Sequence, residues 1–220
     1  MDHEVVSVRD PAELATRAAA WVAGRVNQVV GAGGRFRFAV SGGSTPWAMF
    51  DALLAHDVPW EQVEVFQVDE RVAPAGDPDR NLTHLRRALG QVPVTVLPMP
   101  VNDPDLRQAA KTYAGTLPEH FDLVHLGLGP DGHTASLVPG DPVLEVRDRL
   151  VAATGPYQGH RRVTLTYPAL ARADQILWLI SGEEKLPALS RLLAGDRSIP
   201  AGRVEAGRST VLTDLSVPLR

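Results

Sequence analysis

The sequence contains no cysteine, which excludes disulfides and zinc sites built on thiolates. It has no excess of basic residues: 22 Lys and Arg stand against 26 Asp and Glu, a formal net charge of −4. A nucleic-acid binder needs a basic footprint to neutralise phosphates, so that class is disfavoured. A small anionic ligand needs only a few local cations and stays open. No basic segment followed by an apolar core opens the chain, and no apolar run reaches the length of a membrane span. A cytoplasmic protein without membrane association is therefore expected. There is no repeat of solenoid period, no low-complexity segment and no convincing linker. Residues 1–220, 44% apolar and 22% charged, are enough for one full core and are expected to form a single domain.

What the chain does have is alternation. Asp10-Pro11-Ala12-Glu13 has the form of a helix start, with a capping side chain, proline at the first helical position and glutamate at the third. Leu14, Ala18, Val22, Val26 and Val29 recur at helical spacing until Gly31–Gly34 stop the helix. Arg35–Val40 alternates and reads as a strand. Ser41-Gly42-Gly43-Ser44-Thr45-Pro46 leads from it into a helix over Trp47–Ala55. The unit then returns. A strand over Val63–Val68 ends at Asp69-Glu70-Arg71, and the polar loop Pro74–Arg80 leads to a helix near Asn81–Leu89. Asp103-Pro104 opens another helix, which ends near Leu117-Pro118. The run Phe121–Leu126 reads as a buried strand, Val163–Thr166 and Gln175–Ile180 as two more. Ser181–Lys185 joins the last of these to a helix over Leu186–Leu193, and Val211-Leu212 forms a final short strand. This order predicts an α/β fold: a doubly wound, mostly parallel sheet with helices on both faces, a Rossmann-like three-layer sandwich. Ligands bind such sheets outside the carboxyl ends of the strands. Five polar clusters are expected to converge there: SGGSTP, VDER, GPDGHT, the Thr164–Thr166 region and SGEEK.

SGGSTP has the makings of an anion cradle. Its glycines let backbone N–H groups approach a ligand, Ser44 and Thr45 add hydroxyls, and the following helix offers its positive end. It is neither a Walker loop nor a G-x-G-x-x-G fingerprint, and G-x-S-x-G is absent around Ser41. The plainer alternative is a tight turn capped by Thr45. Asp69 and Arg71 are expected on one side of a loop with Asn81 nearby. Arg71 as a fork and Lys185 as a point charge suit a phosphate, although surface salt bridges are the common fate of such residues. In GLGPDGHTASLVPG, Asp131 and His133 lie two apart in a glycine-rich turn. A neutral imidazole there can take a proton from an attacking water, with Asp131 orienting it. The alternative is a strand-to-helix turn whose polar residues cap a helix starting near Thr134. His3, His56, His84, His120, His125 and His160 show no metal-site spacing and read as structural or solvated.

In order, SGGSTP, VDERVAP, the acidic loop ending DPDRN, GLGPDGHTASLVPG, RRVTLTYPAL and SGEEK resemble the 6-phosphogluconolactonase family of the glucosamine/galactosamine-6-phosphate isomerase superfamily, over roughly Val5–Asp214. The resemblance implies a doubly wound α/β fold and hydrolysis of 6-phospho-D-glucono-1,5-lactone to 6-phosphogluconate in the oxidative pentose phosphate pathway. Its partner would be the small phosphosugar lactone, with no redox cofactor and no catalytic metal; it names no protein partner. Under it His133 matches the general base and Asp131 its acidic neighbour. Arg71 and Lys185 match positions that hold the 6-phosphate, helped by Gly42, Gly43, Ser44 and Thr45. Asp69, Asn81 and Arg162 match further active-site positions. Two stretches depart from the family pattern. SLVPG replaces SLFPG, so Val138 is expected to leave that part of the pocket smaller, and the C-terminal segment from Gly202 matches loosely.

Two other functions compete. Glucosamine-6-phosphate isomerase/deaminase is similar in its glycine loop and DGH motif, but its family carries a glutamate five residues after that histidine, where this chain has Val138. Lactone hydrolysis needs only an activated water and a stabilised oxyanion. A non-catalytic phosphosugar-binding domain would keep the glycine loop and the cations without needing the Asp-Gly-His turn.

Overall fold

The computed structural model describes residues 2–216. Strand β1 (Glu4–Ser7) leads into helix α1 (Pro11–Gly31), which starts as its sequence dictates: the Asp10 carboxylate accepts the Glu13 N–H at 2.8 Å, and Pro11 needs no partner. β2 (Phe36–Val40), α2 (Ser44–Leu53) and β3 (Val63–Gln67) complete the first unit. Then follow β4 (Asp69–Arg71), α3 (Asn81–Leu89), β5 (Thr95–Leu97), α4 (Leu106–Ala114), β6 (Leu123–Leu126), β7 (Val151–Ala153), β8 (Arg162–Leu165), α5 (Tyr167–Leu170), β9 (Gln175–Ile180), α6 (Leu186–Leu193) and β10 (Arg208–Thr213).

Seven strands form one parallel sheet in the order β1-β10-β9-β6-β2-β3-β5. Alternation along each strand feeds two cores. Phe36, Phe38, Val63, Val65, Leu123, Leu177 and Leu179 pack with α1, α2 and α3, while Ala39, Phe66, Val124, Leu126, Ile176 and Trp178 pack with α4, α5 and α6. Helices therefore cover both faces, as an α/β sheet requires. Among the described residues no helix is long and apolar enough to cross a membrane.

Four features differ from the sequence reading. Asp69–Arg71 is not a loop but strand β4, and with β8 and β7 it forms a separate antiparallel sheet of three strands. The Thr164–Thr166 region therefore lies off the parallel sheet; Thr164 and Thr166 are buried, and the Thr166 hydroxyl donates to the Arg149 carbonyl. No helix begins near Thr134. The Thr134 hydroxyl bonds back to the Gly127 carbonyl at 2.8 Å, and Thr134 and Leu137 form an isolated bridge instead. Finally, α4 is capped by Asp105, whose carboxylate accepts from Arg107 and Gln108 N–H, so it starts later than Asp103-Pro104 suggests.

The turn from β3 into β4 and α3 is held by one fully buried carboxylate. Glu70 accepts the Arg71 and Asn81 N–H groups on Oε1, and the Leu82 N–H and the Gln67 carboxamide on Oε2, each at 2.8 Å. The buried Arg80 guanidinium lies 3.2 Å from the same Oε2. Glu70 thus caps α3 with a charge and fixes residues on both sides of it. Its replacement strands Arg80 in the interior. Glu70→Gln should destabilise the fold by about 3–5 kcal/mol, the usual result of breaking a buried ion pair. Urea denaturation measures this, and an unchanged midpoint would show that the pair contributes nothing.

Candidate active site

Strand order positions the site. From β2 the sheet is extended one way by β3 and the other way by β6, so the loops after β2 and β6 diverge from neighbouring strands, paired Phe38↔Leu123 to Val40↔His125. Such a crevice is where parallel sheets bind ligands. A cavity of about 280 Å³ lies there. Its wall includes Ser41–Pro46 after β2, Asp69 and Arg71 after β3, Gly127–Pro130 with His133–Ala135 after β6, and Lys185 after β9. Asn81 from α3, Arg162 from β8 and Leu179 from β9 complete it. Of the expected clusters, SGGSTP, VDER, GPDGHT and SGEEK meet at this cavity, while the Thr164–Thr166 region stays behind in its own sheet.

The β2 loop lies against Asn81 so closely that a Cβ on Gly42 would overlap the carboxamide. Helix α2 begins at Ser44, and among the described residues no side chain caps it, so Thr45 is not its cap and the first N–H groups stay available at the cavity. Beneath the loop, the Ser41 N–H donates to His125 Nδ1 at 3.3 Å. His125 is fully buried, and burial pushes its pKa down to about 3, so the ring is neutral.

The β6 loop turns tightly. The Gly129 N–H donates to the His133 carbonyl at 2.9 Å, and a Cβ on Gly129 would overlap the imidazole. Ala135 sits in the left-handed region at φ 51°, a strained conformation for alanine in the cavity wall. Residues two apart do bond in this turn: Asp131 Oδ1 accepts His133 Nδ1 at 2.5 Å and the His133 backbone N–H at 3.1 Å. Asp131 itself stands outside the wall, behind the ring. Partial burial would raise its pKa, but the His133 backbone N–H, the ring and the Tyr157 hydroxyl outweigh that and hold it below the ordinary carboxylate value. With Nδ1–H donated to Asp131, neutral His133 keeps its lone pair on Nε2.

Charge in the cavity is mainly positive. Arg71 donates to the Asp79 carbonyl at 2.7 Å and reaches Asn81 Oδ1 at 3.4 Å. Arg162 is 4% exposed, its Nε has no partner among the described residues, and burial lowers its pKa although Asp69 pulls the other way. A buried guanidinium in the wall of a cavity favours an anion there. Asp69 accepts the Ser136 hydroxyl at 2.6 Å and the Asn81 carboxamide at 3.4 Å; burial raises its pKa against the pull of Ser136 and Arg162. Val138 is buried away from the cavity wall, so it does not shape the pocket as expected. Nothing in the sequence singles out Ser136, Tyr157 or Glu70, whereas His125 is structural, as expected. At the other end of β6, His120, Asp122 and Asp174 bring ligand atoms within 4.8 Å of one another; they precede two different strands, β6 and β9, so no spacing in the chain reveals them.

Comparison with known proteins agrees with this architecture. The family model described as glucosamine-6-phosphate isomerases/6-phosphogluconolactonase matches residues 9–213. A 6-phosphogluconolactonase of Synechocystis sp. is 39% identical over 196 residues, covering 82% of this chain and 81% of that protein. The crystal structure of a 6-phosphogluconolactonase from Thermotoga maritima superposes with a TM-score of 0.88 at 26% identity, covering 96% of this chain and 99% of that one. A monomeric glucosamine-6-phosphate deaminase superposes at 0.81 with 19% identity over 96% of each chain, a likeness of fold alone.

The buried His125 predicts an acid limb of stability. It titrates at about 3 in the folded protein and near 6.5 when exposed, so the unfolded chain takes the proton first. Its contribution is intact above pH 6.5 and falls away toward pH 3, by about 1.4 kcal/mol per unit. His125→Leu should flatten the fall in unfolding free energy between roughly pH 6 and pH 4, measured by urea denaturation at stepped pH. Equal slopes in the two proteins would show that His125 is not the group responsible.

Proposed function

The chain belongs to the glucosamine-6-phosphate isomerase/6-phosphogluconolactonase family, and we propose that it hydrolyses 6-phospho-D-glucono-1,5-lactone to 6-phosphogluconate in the oxidative pentose phosphate pathway. The observation that carries the reading is the Asp131–His133 pair at the wall of a cation-rich cavity between two glycine loops. Residues 1–220 act as a single domain in this reading, in the cytoplasm.

Arg71, Lys185 and the Gly42–Thr45 loop hold the 6-phosphate, the loop through its N–H groups and the open start of α2. Anchored there, the ring presents C1 to a water beside His133. Nε2 takes a proton as the water oxygen bonds to C1, and Asp131 favours the imidazolium that forms. The carbonyl electrons move to oxygen, and backbone N–H groups or the Arg162 guanidinium stabilise the oxyanion. The intermediate collapses with cleavage of the bond from C1 to the ring oxygen, which takes the proton back from His133. The product acid ionises to the carboxylate. The reaction is redox-neutral, so it calls for no redox cofactor. Asp69 and Asn81 order the wall between the phosphate end and the reacting end.

Isomerisation fits less well. The position five residues after His133 is Val138, buried away from the cavity, and Asp69 is already engaged by Ser136 and Asn81. A binding-only domain has no use for a paired histidine base at its wall.

His133→Ala should lower kcat about a hundred- to ten-thousand-fold with little change in KM, measured with freshly made lactone above its spontaneous hydrolysis. An unchanged kcat removes the base from this residue. Arg71→Ala should raise KM about tenfold or more while sparing kcat, since it acts on a group remote from the reacting carbon. If KM stayed as in the parent enzyme, the phosphate would have to bind elsewhere. Glucosamine 6-phosphate, assayed in parallel, should not be turned over.

A further inference from the structure

Between β7 and β8 the chain makes a hairpin whose tip lies beside the Asp131–His133 pair. Tyr157 and His160 exchange backbone hydrogen bonds at 2.9 and 3.2 Å across Gln158-Gly159, both with positive φ (48° and 82°), the two-residue turn that matches the twist of paired strands. The tip is fastened on both sides of the cavity. On one side His160 Nε2 lies 3.1 Å from Asp79 Oδ2, and the Asp79 carbonyl takes a bond from Arg71. On the other, the Tyr157 hydroxyl lies 3.3 Å from Asp131 Oδ2 and 3.4 Å from His133 Nδ1, with the two rings edge to face at 5.3 Å. The Arg162 guanidinium lies over the tyrosine ring, 5.2 Å from its centroid.

The two carboxylate oxygens of Asp131 are thus divided. Oδ1 serves His133 alone, through both ring and backbone, and Oδ2 faces Tyr157. Resting on the reading above, we infer that Tyr157 is a positioning residue for the hydrolysis: its hydroxyl donates to Asp131 Oδ2, holding the carboxylate so that Oδ1 fixes His133 in the Nδ1–H tautomer and leaves Nε2 as the base. Burial and the Asp131 charge both keep the phenol protonated and able to donate. The bond also tempers the basicity of Asp131. Without it the carboxylate pulls harder on the imidazolium and turns more freely. The other charged groups at the cavity that His133 lines are Arg71, Arg162, Lys185 and Asp69, and a phenol-to-phenyl change leaves all of them in place.

The test is Tyr157→Phe, which keeps the ring against His133 and Arg162 and removes only the hydroxyl. It should lower kcat about three- to tenfold with KM nearly unchanged, as expected for loss of one orienting hydrogen bond. The acid limb of kcat/KM should move to higher pH. Nitrogen-15 NMR of the histidine rings gives a readout independent of turnover: His133 should be the Nδ1–H tautomer in the parent and a mixture with a raised pKa in the variant. A parental tautomer and pKa in Tyr157→Phe overturns the inference, whatever the activity. So does a fall in kcat that tracks a lower melting temperature with the limb unmoved. His133→Ala separates the two readings: if it hydrolyses the lactone as the parent does, the proposed mechanism fails, whereas an inactive His133→Ala beside a parental Tyr157→Phe removes only the role of the tyrosine.

Discussion

The Glu70 carboxylate is the constraint on which half of the site depends. Four hydrogen bonds and the Arg80 guanidinium converge on a group with no exposure to water. An ionised carboxylate in that position is tolerable only with this number of partners, and each partner is thereby fixed. Two of them are the backbone N–H groups of Arg71 and Asn81, whose side chains face the cavity. The interior charge sets the register of β4 against α3, and that register sets where Arg71 and Asn81 point. Asn81 in turn leaves no room for a side chain on Gly42. An interior ion pair thus reaches the anion loop through one carboxamide.

The second half depends on topology. Because β2 and β6 are neighbours whose chains wind away in opposite directions, the two glycine loops face each other without any contact designed between them. One loop presents unpaired backbone N–H groups, the other an imidazole backed by a carboxylate. The antiparallel sheet adds a third side. β8 delivers Arg162, and the hairpin leading into it delivers Tyr157. Positive charge at one end and a base at the other suit a substrate with a fixed anion and a distant electrophilic carbon.

Much of this was legible in the sequence. α3 and the β-rich run of β9 lie where they are expected, and the β2 strand, its glycine loop and the helix behind it follow from Phe36 to Leu53 in order. Asp69 and Arg71, expected on one side of a loop, do share a side, but on a strand. Glu70, between Asp69 and Arg71, carries no mark of burial in the sequence, and only the fold shows it turned inward. β1 and β5 are edge strands of four and three residues, and β4 has three, too short for any pattern. The helix expected at Thr134 failed because a local hydroxyl-to-carbonyl bond and the left-handed Ala135 compete with helix formation, and helix propensity does not register either. Tyr157 stood in a Pro- and Gly-marked loop with nothing nearby to identify it. Its partners lie 24 and 26 residues away, brought near only by the β7–β8 register.

One edge of the parallel sheet, β1, bears on how the molecule is assembled. β1 is the first strand in the chain, yet it pairs with β10; the His3 and Ser209 side chains that meet there are 206 residues apart in sequence. During synthesis the first strand emerges long before its template exists. It must stay unpaired while the interior of the sheet forms, and closing so long a loop carries an entropic penalty that grows only slowly with length. That edge can therefore close only after β10 has been made. The two facing glycine loops follow interior strands, β2 and β6, so their placement does not wait on the β1 edge.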